Sequence, residues 1–75
     1  MSEKLPRVSY DKVIKVVEKL GFSLVRQSGS HKIYKNDEGI RITVPCHSGR
    51  TLHPKVLRNI IQDLGISVDE FIQLL

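Results

Sequence analysis

The segment Phe22–Val44, FSLVRQSGSHKIYKNDEGIRITV, decides the fold. It holds three short runs rich in β-branched and aromatic residues: Phe22 to Gln27, His31 to Asn36 and Ile40 to Val44. The separators, Ser28-Gly29 and Asn36-Asp37-Glu38-Gly39, are turn chemistry, so the segment predicts a three-stranded antiparallel meander. Pro45 ends the third strand because it has no N–H to donate to a ladder.

The turns imply a register. With Ser28-Gly29 as a two-residue turn, Arg26 lies opposite His31, Leu24 opposite Ile33 and Phe22 opposite Lys35. With an even-numbered second loop, Ile33 pairs with Ile42 and His31 with Val44. His31 then has the parity of the core face, at a strand end beside the glycine turn, with a guanidinium as cross-strand neighbour. Lys32, Tyr34, Arg41 and Thr43 face away from the core.

Helical periodicity flanks the meander. Tyr10, Val13, Ile14, Val17 and Leu20 share one helix face, with Ser9 as N-cap, Asp11 at the positive end of the dipole and Gly21 at the left-handed C′ position. Beyond the meander, His53-Pro54 opens a helix whose stripe is Val56, Leu57, Ile60, Ile61 and Leu64, closed by Gly65. Ser67-Val68-Asp69-Glu70 has the form of a capping box and starts a short third helix with Phe71, Leu74 and Leu75. Burying these stripes economically places both main helices on one face of the sheet. The expected fold is α+β, an α-β-β-β-α layout with a three-stranded antiparallel sheet and a short C-terminal helix, similar to the double-stranded-RNA-binding domain.

Length and composition bound the function. At 75 residues the chain is expected to form one domain, residues 1–75, too small for a multi-domain enzyme or an enclosed pocket for a large cofactor. No apolar run approaches the ~20 residues of a membrane span, and Met1 to Arg7 is polar, without a signal core. Cys46 is the single cysteine, which points to a reducing, cytoplasmic location. The spacing of His31, Cys46, His47 and His53 matches no structural zinc pattern, so neither metal nor cofactor is expected.

The net charge of +4 is uneven. Residues 26–58 hold seven Lys and Arg against Asp37 and Glu38, whereas Asp63, Asp69 and Glu70 make the remaining tail acidic. A basic middle favours a polyanionic partner, nucleic acid above all, although a solvated basic surface reads the same way by charge alone.

The site chemistry narrows this. RNA carries its own nucleophile, the 2′-hydroxyl, so cleavage needs a base, an acid and cations on the phosphoryl oxygens. A histidine near neutrality serves as either acid or base, and a neighbouring Arg stabilises developing charge. His31 is the candidate, with Arg26, Lys32 and Arg41 as phosphate contacts by charge and parity. Gly29 admits a close substrate backbone, and Ser30 offers a hydroxyl to phosphate. His47, with Lys55, Arg50 and the amides opening the second helix, is a candidate phosphate seat. His53 reads as a helix-start residue, and Cys46 beside His47 has no triad signature. A lone histidine here also reads as an ordinary polar residue at a sheet rim.

Taken in order, Leu20-Gly21-Phe22, Gly29-Ser30-His31, Ile42-Thr43-Val44-Pro45, His47, Leu57-Arg58-Asn59-Ile60-Ile61, Gly65-Ile66-Ser67 and Glu70-Phe71 resemble the HicA (YcfA-like) toxin family from about Ser9 to Leu75. The resemblance implies the toxin of a type II toxin–antitoxin pair: an mRNA-cleaving ribonuclease held inactive by a HicB-like antitoxin. It also implies that the catalytic histidine is that of the Gly-Ser-His motif, His31. Family members often carry a basic residue between the Pro and His after strand three, where this chain has Cys46. The competing expectation is a non-catalytic RNA-binding module.

Overall fold

A computed structural model describes residues 5–47 and 50–75; part of the polar start, Met1 to Lys4, lies outside the described residues. The order is α1 (Tyr10–Lys19), β1 (Ser23–Ser28), β2 (His31–Lys35), β3 (Arg41–Pro45), α2 (Pro54–Leu64) and α3 (Val68–Leu74). The strands form one antiparallel sheet in the order β1-β2-β3. This is the expected α+β architecture of double-stranded-RNA-binding type, with the short helix at its C-terminal end.

Each helix is set by local chemistry. In α1, Val13, Val16 and Val17 are fully buried, and Gly21 takes the positive φ (91°) expected after the last turn. Ser9 stands at the N-cap position, but its hydroxyl donates to the Asp11 carboxylate and not to the helix backbone. That bond, helped by the Lys15 charge, holds the Asp11 carboxyl below its ordinary range. In α2, His53 Nδ1 accepts from the Lys55 amide at 3.1 Å, Pro54 takes the first position and Gly65 (φ 73°) closes the helix. In α3 the capping box is complete: the Ser67 amide donates to Glu70 Oε1 at 3.0 Å and the Glu70 amide to Ser67 Oγ at 3.1 Å.

One face of the sheet carries the core. Tyr34, Ile42 and Val44 meet Val13, Val16 and Val17 of α1, Leu57, Ile60 and Ile61 of α2, and Phe71 of α3. The helices lie mainly over β3, and all six residues of β1 are exposed at the opposite edge. Phe22 precedes β1 because its side chain turns into the core and its amide bonds to Val17 O at 3.2 Å.

The register departs from expectation in both hairpins. Ser28 pairs with His31, so the two-residue turn is Gly29-Ser30 and not Ser28-Gly29. Gly29 has φ 59° while Ser30 does not have positive φ, the glycine-first pattern of a type II′ turn. Arg26 therefore pairs with Ile33, not His31, and an irregularity between Leu24 and Arg26 then puts Leu24 opposite Tyr34.

The second loop is odd-numbered. The Asn36 amide donates to Ile40 O at 3.1 Å, and the Ile40 amide donates to Asn36 Oδ1 at 2.8 Å, leaving Asp37-Glu38-Gly39 between them with Gly39 at φ 83°. His31 thus pairs with Pro45, Ile33 with Thr43, Tyr34 with Ile42 and Lys35 with Arg41. A one-residue slip moves a strand's whole side-chain set to the other face. Tyr34 and Lys32 were expected in the open and instead lie on the helix side, Tyr34 only 2% exposed. His31 lies on the open face, opposite to the expected core parity. Arg41 and Thr43 face away from the core as expected.

Candidate functional site

The open face is a set of cross-strand rows. Ser28, His31 and Pro45 form the first, Arg26, Ile33 and Thr43 the second, and Ser23, Lys35 and Arg41 the third. Rows on one face are separated by two residues, about 7 Å along the strands. His31 is exposed at the first residue of β2. It directly follows the Gly29-Ser30 turn, which is held by Gln27 Nε2 donating to Gly29 O at 3.2 Å and by the Cys46 amide donating to Ser30 O at 2.6 Å. The latter bond carries the ladder one residue past β3 and brings the chain leading to His47 alongside the turn.

Arg26 is diagonal to His31 across the β1–β2 pair, at a Cα separation of about 7–8 Å, within reach of its long side chain. Gly29, His31 and Arg26 therefore lie together at one end of the open face, while Ser30, opposite Cys46, has the helix-side parity. Arg41 shares their face but lies two rows away. Lys32, another expected phosphate contact, pairs with Val44 on the helix side and does not join them. Lys35, which the expected register pairs with Phe22, instead pairs with Arg41 and belongs to the face.

His47 is exposed and lines a cleft of about 280 Å³ with Pro45, Arg50, Thr51, Leu52, His53 and Val56. The expected phosphate seat at the start of α2 is largely spent. Pro54 has no amide hydrogen, the Lys55 amide is taken by His53, and the Leu57 amide bonds to His53 O at 3.0 Å. Lys55 itself is exposed and does not line the cleft. His53 is a helix cap, as its position beside Pro54 suggested. Cys46 is half-buried against the core with its thiol at 3.5 Å from Val44 O, so it packs on the side away from His31.

These features define a class: a small α+β domain of double-stranded-RNA-binding type with an exposed histidine and cations on the uncovered sheet face. Residues 10–66 match the family model described as the HicA toxin of bacterial toxin–antitoxin systems. The match covers well over half of the chain, and the protein belongs to the HicA toxin family. It is therefore a toxin of a toxin–antitoxin system, with an antitoxin as its partner. No curated protein sequence matches the chain. Among the described residues no helix is long and apolar enough to cross a membrane.

Proposed function

We propose that this toxin is a cytoplasmic, metal-independent endoribonuclease that cleaves mRNA and so stops translation, with His31 as its general acid–base residue. The observation that carries the reading is the register: it sets an exposed His31 on the open face, beside a tight glycine turn and diagonal to Arg26. With the phosphate over the turn, the 2′-hydroxyl loses its proton to a base and attacks phosphorus. The bond from phosphorus to the 5′-oxygen breaks, and that oxygen takes a proton. The products are a 2′,3′-cyclic phosphate and a 5′-hydroxyl. His31 holds the proton at one of these two ends, and Arg26 neutralises charge on the phosphoryl oxygens. His47 plays a supporting part where its chain passes the turn.

A HicB-like antitoxin silences such a site by covering the open face, and the cations there call for carboxylates on its contact surface. The test is induced expression in a bacterium and incubation of purified protein with RNA in the presence and absence of chelator. Growth arrest and cyclic-phosphate ends with the native chain, both lost in His31→Ala, are expected. RNA bound but left intact, with binding unaffected by His31→Ala, selects a non-catalytic RNA-binding module instead.

A further inference from the structure

Lys35 and Arg41 are directly opposite one another across β2 and β3. Both are exposed, and they stand on the face that carries His31. Like charges in a cross-strand pair destabilise a sheet, so the pair works against folding where it stands. A polyanion lying across it removes that repulsion. The pair is four residues along β2 from His31, about 13 Å at ~3.3 Å per residue. Arg26 occupies the row between, beside Ile33 and Thr43. The face thus presents its cations in successive rows leading in one direction from His31, at a spacing comparable to that of successive phosphates in an extended strand. The run ends at Asp37 and Glu38, both exposed in the loop just past Lys35, and they repel any further phosphate.

We propose that single-stranded RNA lies along the strands of the open face, from His31 past Arg26 to a phosphate subsite formed by Lys35 and Arg41. The acidic loop limits the run to about two nucleotides beyond the scissile one. This rests on the ribonuclease reading for the meaning of His31, but the subsite itself is a matter of binding.

Two substrate sets test it. The first consists of oligodeoxynucleotides with one central ribonucleotide, so that one bond is cleavable, extended by zero to four deoxynucleotides on either side. The second is an all-deoxy oligonucleotide, which binds without being cut. With the native chain, kcat/KM is expected to rise several-fold over the first two nucleotides added on one side and then level off. In Lys35→Gln/Arg41→Gln the second increment disappears. The slope of log Kd against log salt for the all-deoxy strand falls by about 1.4, at ~0.7 per lost phosphate contact. Lys12→Gln, on the outward face of α1, is the control and changes neither. An unchanged salt slope in the double variant overturns the subsite whatever the cleavage data show. Native protein that cuts nothing, with the slope still lower by about 1.4 in the double variant, upholds the subsite and overturns the ribonuclease reading.

Discussion

Asn36 accepts the backbone amide of Ile40 through its side-chain oxygen at 2.8 Å, and the loop closed by this bond determines which side of the sheet His31 faces. The same oxygen accepts from the Glu38 amide at 3.1 Å. Three residues remain between Asn36 and Ile40, and the odd count turns Tyr34 inward and His31 outward.

Removing the Asn36 side chain is therefore expected to weaken the hairpin. Asn36→Ala loses two side-chain hydrogen bonds at an exposed site and costs about 1 kcal/mol. Urea unfolding shows this as a lower midpoint with an unchanged slope. A variant with native stability would mean that backbone geometry alone holds the loop.

The face assignment separates two cations close to His31, Lys32 and Arg26. Lys32→Gln, on the helix side, leaves RNA affinity and its salt dependence close to native. Arg26→Gln, on the open face, weakens binding and lowers the salt slope by about 0.7. Fluorescence anisotropy with a labelled single strand at several salt concentrations reads both; the reverse order would return His31 to the core face.

Tyr34 predicts an alkaline limit. Burial, with the Glu18 and Cys46 charges adding, pushes its phenol above the ordinary value of 10.0. Below that value both folded and unfolded chains carry a neutral phenol, and the stabilising contribution is complete. As pH rises from there toward the folded value, the unfolded chain ionises first and stability drains away. Thermal melts between pH 8 and about 11 should show a smaller alkaline decline in Tyr34→Phe than in the native protein.

His53 is a structural cap and should behave as one. His53→Ala removes the bond to the Lys55 amide and costs roughly 0.5–2 kcal/mol, a fall in Tm of several degrees. RNA cleavage measured well below that Tm stays native. A loss of cleavage without a loss of stability would instead make His53 part of the site.

Phe71 ties α3 to the rest of the core and is fully buried. Phe71→Ala is expected to cost about 3–5 kcal/mol, a large share of the stability of so small a protein. Circular dichroism at 37 °C should show it largely unfolded, while Phe71→Leu remains folded.

The order of elements, the caps of the second and third helices and most of the core stripes were legible in the chain because each depends on neighbours within a few residues. Ser67 with Glu70, Gly21, Gly65 and His53-Pro54 act where the sequence places them. The candidate histidine was legible too, since Gly29-Ser30-His31 puts it beside a turn in any register. Which face it occupies was not. That depended on whether glycine stands first or second in one turn, on an irregularity at Val25, and on an asparagine side chain closing the second loop at three residues. A strand has a period of two, so one residue more or less in a loop inverts every side chain on it. The sequence by itself determined a basic α+β domain with a histidine at a strand end. Only the tertiary structure decided that His31 shares an open face with Arg26, Lys35 and Arg41, while Lys32 and Tyr34 turn to the helices, because the pairing of distant strands chooses between two faces that local sequence leaves equivalent.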